Sequence, residues 1–298
     1  MRGITSRDFR ILCDFMDVRK FMVEVYERDW RNGVPAPFLE YALSSSWMDT
    51  SLTHRFRIWE EEGRIVAFVF YENPMSDIYF SLRPGYEELA EEMVDYAGRY
   101  MPKKDGKQKL VLFEGQKAVM DAAGKAGYVR GGGYNERVYD FGKPLDYSLP
   151  EGFHFVEPGE AEAGKIAECC WKGFDHEQEE GPWDGNDEDV RRCMTTPHAT
   201  PLYPVAIANE QQEYVCFAGM WWTPENHLAY MEPLCTVPRY RGKGLASAAL
   251  SELYRRMKPL GATHMTGGGD PFYEKIGFEP CIGWTFWERD FGMQTSRI

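Results

Sequence analysis

Between Gly244 and Met257 the apolar residues Leu245, Ala248, Ala249, Leu253 and Met257 recur at three- and four-residue steps. That spacing predicts a helix with one face on a core. Arg255, Arg256 and Lys258 stand at its C-terminal end, where cations suit the dipole, and Pro259 to Gly261 stops it. Upstream, three apolar runs separated by turn residues predict strands at Leu202–Ala208, Tyr214–Thr223 and His227–Val237. Before them come a strand at Gly152–Pro158, an amphipathic helix at Glu160–Phe174 and a second helix starting near Asn186. The first half of the chain follows the same plan. It has a helix at Arg19–Arg28, strands at Arg55–Glu60, Arg64–Tyr71 and Asp77–Leu82, a helix at Tyr86–Tyr100 and a strand at Lys109–Phe113. Such an order argues for α+β layers rather than a regular parallel barrel.

The two halves also end alike. Residues 126–141 lie without gaps on residues 276–291, an offset of 150. Gly127 meets Gly277, Gly133 meets Gly283, and Asp140-Phe141 meets Asp290-Phe291; Tyr128 faces Phe278 and Tyr134 faces Trp284. Matches in register over one segment argue for a duplicated domain. Phe141 to Gly152, with its prolines and glycines, reads as the joint. The expectation is a first domain at 1–141, a linker at 142–152 and a second domain at 153–298. A length of 298 residues suits two such domains.

Composition narrows the function. The net charge is −13 and no basic run is present, so a nucleic-acid partner and an anionic membrane surface are both disfavoured. A cationic small molecule would be attracted instead. No apolar stretch approaches the roughly 18 residues of a membrane span, and the N-terminus does not read as a signal peptide. The seven cysteines are irregularly spaced and form no Cys-x-x-Cys pair. They read as reduced thiols of a cytoplasmic protein, with no metal site.

The most informative stretch is Leu234 to Ala246. A strand runs into Arg239-x-x-Gly242-x-Gly244 and a helix leaves at once. Glycines let successive N–H groups turn inward, the helix start adds unpaired donors, and Arg239, Arg241 and Lys243 add charge. A pyrophosphate fits such a cradle. The hexapeptide alone is also compatible with a plain glycine turn; the strand, the helix and a second motif give it weight. That second motif is Asp270-Pro271-Phe272-Tyr273-Glu274-Lys275-Ile276-Gly277-Phe278. Together the two motifs resemble the GNAT acetyltransferase superfamily, and the resemblance covers residues 153–291.

The resemblance implies two tandem GNAT-like domains, each a mixed, mostly antiparallel twisted sheet flanked by helices. It implies acetyl-CoA as co-substrate and an acyltransferase, specifically N-acetyltransferase, activity. By the same resemblance Tyr230 to Pro238 is the family's splayed fourth strand. Leu234, Cys235 and Thr236 would then line the pantetheine arm, and the backbone from Arg241 through Gly242, Lys243, Gly244 and Leu245 to Ala246 would hold the pyrophosphate. Tyr273 matches the family's tyrosine near the sulfur and is the candidate acid for the leaving thiolate. Glu232 is the candidate base, because acidic residues on this strand often serve so; its place before Pro233 also fits a surface turn. Such a base matters because an alkylamine of pKa about 10.4 is neutral in only about one molecule in 2,500 at pH 7. Asp270 and His264 are further candidates by position, and His264 reads better as a hydrogen-bonded core residue.

The first half departs from the pattern. In Leu82 to Ala90, Tyr86 and Glu88 stand where the second half has Gly242 and Gly244, and Glu87 and Glu88 would repel a phosphate. Ala123 stands at the offset of Tyr273. This half therefore resembles a degenerate GNAT domain, leaving one active centre per chain. Near the acceptor end, Glu177 to Asp189 carries seven acidic groups and no basic one. A small cationic amine would suit it, with Trp183 stacking on the charge; a solvated acidic face with Asn186 capping a helix is the stronger reading. A non-catalytic acyl-CoA-binding module, another acyl group, and a monomer or a homodimer all stay open.

Overall fold

The computed structural model describes residues 3–292; the expected domain ends at 1–2 and 293–298 lie outside that range. The chain divides into two compact units. One runs to Glu136 and resumes at Pro280; the other is Arg137–Glu279.

The first unit begins with β1 (Ile4–Asp8), α1 (Ile11–Val25) and α2 (Ala36–Ser44). Strands β2 (Arg57–Glu61), β3 (Arg64–Tyr71) and β4 (Asp77–Leu82) follow, then α3 (Ala90–Tyr100), β5 (Lys107–Phe113), α4 (Lys117–Lys125) and β6 (Val129–Asp140). Strands β1 to β4 pair antiparallel in sequence, whereas β4 pairs β5 in parallel. A parallel pair needs a crossover, and α3 supplies it. All of β3 after Arg64 is buried, which is why its sequence is a continuous apolar run rather than an alternation. Strands β3 and β4 match the expected bounds. The first helix instead lies at residues 11–25, and β1, α2 and α4 were not anticipated.

The second unit carries β7 (Phe153–Phe155), α5 (Ala163–Gly173), α6 (His176–Glu179), α7 (Glu188–Cys193), β8 (Val205–Asn209) and β9 (Tyr214–Ala218). Next come β10 (Trp221–Thr223), β11 (Leu228–Tyr230), β12 (Leu234–Thr236), α8 (Leu245–Met257), β13 (His264–Thr266) and α9 (Pro271–Lys275). Its strands form two groups. One has the order β12-β9-β8-β7 and is antiparallel throughout. In the other, β11 lies between β10 and β13, parallel to β13, and β13 pairs the last residues of β6. Two expected strands are each broken in two. The break in 214–223 falls at Gly219 and that in 227–237 at Glu232-Pro233. The two breaks face each other: Gly219 N–H donates to the Pro233 carbonyl at 2.7 Å, and a Cβ on Gly219 would collide with the Glu232 carbonyl.

The last strand, β14 (Glu279–Asp290), returns to the first unit and pairs β5 from Trp284↔Phe113 to Asp290↔Lys107. Strands β6 and β14 begin and end 150 residues apart, and Gly127 and Gly277 before them have φ of +84° and +96°. The repeated segment is thus a repeated turn and strand. It also moves the boundaries. Residues 137–141 belong to the second unit and residues from 280 onward to the first, so the expected division at 142–152 is not where the compact units part. A strand goes where its backbone groups find partners, and the sequence join does not record that.

Trp284 is 8% exposed. Its ring meets Trp30 at 5.7 Å and Phe113 at 5.0 Å, and its Nε1 donates to Glu136 at 2.9 Å. Trp284→Ala should cost about 3–5 kcal/mol, read as a lower urea midpoint. An unchanged midpoint would show that β14 contributes no core to the first unit.

Candidate active site

Strands β11 and β12 are one chain segment with two different partners. Beside β13, Leu228 faces His264 and Ala229 faces Met265. Met231 N–H then donates to Thr266 Oγ1 at 2.8 Å. Beyond it Pro233 has no N–H to offer a ladder, and β12 continues paired only with β9. The register assigns the inner and outer edges. Pro233 and Val237 bond Gly219 and Val215 on β9, so the odd-numbered residues face β9. The N–H and C=O of Leu234 and Thr236 therefore point to the free edge. On that edge the Thr236 carbonyl accepts Arg241 Nε at 3.1 Å.

The segment after β12 makes a short 3₁₀ turn at Pro238–Tyr240, and α8 starts from Gly244. Gly242 and Gly244 have φ of +76° and +85°, and a Cβ on either would meet nothing within 4 Å. The residues turn left-handed into open space, which glycine does without steric penalty. The first bond into the helix is Ala248 N–H to Gly244 O at 3.0 Å. Six consecutive N–H groups, Gly242 to Ser247, donate to no protein acceptor among the described residues. The backbone of the loop is thus an anion cradle at a helix start.

The flanking cations do less there than their sequence positions suggest. Arg239 pairs Glu213 at 2.6 Å. Arg241 reaches Gly173 O at 2.7 Å and Asp175 at 2.8 Å. Lys243 lies over the Tyr240 ring at 5.2 Å. Arg241 ties the end of α5 to β12, and Lys243 is the one of the three without a carboxylate partner among the described residues.

Helix α5 packs closely on β12. A Cβ on Gly173 would lie 2.7 Å from Cys235 Cβ. Cys235 turns its side chain under α5, its sulfur 4.0 Å from Cys169 Sγ and 3.9 Å from Cys170 Sγ. Hydrogen bonding to Cys235 and then burial hold Cys169 and Cys170 well above the usual thiol range. Cys235, hydrogen-bonded to Cys169 and then to Cys170, is shifted the other way. Cys235 thus turns its side chain under α5 and its backbone groups to β9; Leu234 and Thr236 are half-buried on the opposite face. All seven cysteines are free. No group of three potential metal ligands occurs among the described residues.

Tyr273 sits in α9, which Asp270 caps by accepting Phe272 N–H at 2.7 Å. Asp270 is therefore a capping residue. The Tyr273 ring is 8% exposed and packs over Gly267 and Gly268, where added Cβ atoms would come within 2.9 and 2.8 Å of it. These glycines directly follow β13, so Tyr273 stands on the β13 side of the opening and Glu232 at the point where β12 turns away. His264 is buried, with Nδ1 2.9 Å from Thr263 Oγ1, as a core histidine should be. Sequence reasoning missed the Gly267-Gly268-Gly269 run and Arg137. Arg137 donates to Gly269 O at 2.8 Å and to Glu274 at 3.0 Å, holding the turn that carries Tyr273. The triple glycine was a visible signal; Arg137 was not, because it is more than a hundred residues away.

The acidic segment is mostly self-satisfied. Asn186 Oδ1 accepts Glu188 N–H at 2.9 Å at the start of α7, Asp187 pairs Arg191 at 2.7 Å, and His176 meets Glu180 at 2.8 Å. In the first unit the loop before α3 is filled from within: Glu87 accepts the Gly85 N–H at 3.0 Å.

Residues 165–278 match the acetyltransferase (GNAT) family. A search of curated proteins finds no match. Among solved structures, a GCN5-related N-acetyltransferase from Sphaerobacter thermophilus is similar at 13% identity and TM-score 0.56, covering 99% of this chain and 98% of its own. A tandem GNAT protein from the clavulanic acid biosynthesis pathway is similar at 13% and 0.59, covering 98% and 100%. A GNAT-family acetyltransferase from Colwellia psychrerythraea is similar at 9% and 0.60, covering 95% and 98%. At these identities the likeness is one of fold, and it extends over both units. No described helix is long and apolar enough to cross a membrane.

Because α5 lies against β12 with no room at Gly173, Gly173→Val should push the strand. The expected cost is about 1–3 kcal/mol, together with weaker binding of coenzyme A by calorimetry. Wild-type affinity in the variant would separate α5 from the site.

Proposed function

We propose, on the match of residues 165–278 to the acetyltransferase (GNAT) family, that the chain is an acetyl-CoA-dependent N-acetyltransferase acting on a primary amine of a small cationic molecule by direct transfer in a ternary complex. The observation that carries the reading is the run of N–H groups from Gly242 to Ser247 that meet no acceptor among the described residues, beside a strand edge that no described strand pairs. The loop N–H groups are suited to a pyrophosphate. The Leu234 N–H and C=O and the Thr236 N–H are suited to the amides of an extended arm. When bound, acetyl-CoA supplies the activated thioester.

The remaining roles belong to the chain. A carboxylate at Glu232 takes the amine proton, directly or through water, as the nucleophile attacks; at pH 7 freeing an alkylamine of its proton costs about 4.6 kcal/mol. The Tyr273 hydroxyl gives a proton to the leaving sulfur. The net acidic surface, including residues 177–189, draws a cationic acceptor. Free cysteines suit a cytoplasmic location. The first unit, its loop filled by Glu87, has no part in cofactor binding.

Tyr273→Phe should lower kcat by about 10- to 100-fold while coenzyme A affinity stays at the wild-type value; an unchanged rate removes Tyr273 from the chemistry. Gly244→Glu should abolish coenzyme A binding, because it forces a side chain into a left-handed position and places a carboxylate where an anion should bind. Thiol release from acetyl-CoA over a panel of primary amines, followed with a thiol-reactive dye, tests the activity. Binding without release on any amine would leave an acyl-CoA-binding module instead.

A further inference from the structure

The first unit contains a cleft of about 550 Å³ at the C-terminal end of α3. In a chain of net charge −13, this cleft is cationic. Arg55, Arg57 and Arg99 line it with His54; Asp8 is the one acidic lining residue. Lys103 is close by, and its pKa is held below the ordinary lysine value by burial and then by Arg55 and Arg289. Positive charges therefore crowd one place.

The structure itself neutralises only part of that charge. Arg57 is occupied: it pairs Asp8 at 2.6 Å and donates to Ser6 Oγ at 2.9 Å. Arg99 touches Asp95 through Nε at 2.9 Å, an exposed pair of little strength. Arg55 donates one terminal nitrogen to the Tyr100 carbonyl at 3.2 Å, and Lys103 reaches the Met101 carbonyl and lies over the Phe291 ring, with no carboxylate partner among the described residues. The end of a helix carries about half a negative charge. Four cations against two carboxylates and half a charge leave an excess of more than one. The terminal nitrogens of Arg99, the remaining nitrogens of Arg55 and the ring of His54 have no protein acceptor among the described residues.

The rest of the cleft is aromatic. Tyr96 and Tyr100 lie 5.0 Å apart at 37°, and Tyr100 is 55% exposed. A guanidinium fork matches a phosphate better than any point charge does, because two parallel N–H groups meet two oxygens. The geometry points to a binding site for a small phosphomonoester, its phosphate on Arg55, Arg99 and His54 and a planar body against Tyr96 and Tyr100. It is separate from the Gly242–Ser247 loop and independent of the function proposed above.

Calorimetry at constant ionic strength tests this with phenyl phosphate and inorganic phosphate. Phenyl phosphate should bind the whole protein at one site with Kd below about 1 mM, and inorganic phosphate more weakly. Arg99 is exposed and supports no other element, so Arg99→Ala should keep the fold and weaken phenyl phosphate about tenfold. Arg55→Ala should do the same, with circular dichroism reporting whether α3 survives. Tyr100→Ala should bring phenyl phosphate down to the affinity of inorganic phosphate. Gly244→Glu should leave phenyl phosphate binding as it is. The proposal is overturned by no saturable heat up to about 10 mM, by wild-type affinity in Arg99→Ala, by equal affinity of the two probes for the wild type, or by loss of binding in Gly244→Glu.

Discussion

Backbone N–H and C=O groups must be satisfied, and the second unit is arranged around the one place where a strand gives up a partner. After Met231 binds Thr266 Oγ1, the chain parts from β13. Pro233 cannot continue a ladder, Gly219 lets the neighbouring strand break opposite it, and β12 goes on with β9 alone. The unpaired edge has a length of only three residues. It persists because the other side of β12 is fixed: α5 packs on Cys235 at a distance only Gly173 permits, and Arg241 ties Thr236 to the end of α5. A free edge with a rigid back is suited to an extended ligand, since little order is lost when the ligand pairs with it.

The same economy of partners distinguishes the two halves. Before α8 the N–H groups from Gly242 to Ser247 take no acceptor among the described residues, and both glycines open on empty space. Before α3 the loop satisfies its own donors: Gly85 N–H donates to Glu87 Oε1 at 3.0 Å, Tyr86 N–H to the Arg83 carbonyl at 3.2 Å and Leu89 N–H to the Tyr86 carbonyl at 3.0 Å. Both loops obey the rule that a helix start must find acceptors. One finds them within the chain, and the other leaves them to solvent or to a ligand.

Much of this was legible in the sequence. The periodic apolar stripe of α8, the runs of β3 and β4 and the 150-residue repeat reflect burial patterns that local sequence carries. The glycines of the loop were legible because left-handed backbone restricts residue choice. Side-chain partners were not. Arg239 and Arg241 read as phosphate ligands by position, yet each meets a carboxylate that folding brings from elsewhere, Glu213 and Asp175. Cys235 read as lining the arm, yet strand alternation turns its sulfur under α5. Short helices such as α4 and α9 have too few residues to show a period.

The exchange of terminal strands was also hidden, and it bears on what the repeat means. Strands β6 and β14 are equivalent in length and in the glycine that precedes them. If each half kept its own copy, the Phe141–Gly152 stretch would separate two self-sufficient sheets. Instead β14 gives the first unit the partner of β5, while the last residues of β6 give the second unit the partner of β13. Arg137, in that same stretch of β6, then holds the turn bearing Tyr273. So residues 137–140, from the half that lacks an open anion loop, pair β13 within the second unit and hold the turn bearing Tyr273. A degenerate copy under that constraint can lose its own loop chemistry and yet cannot lose its last strand.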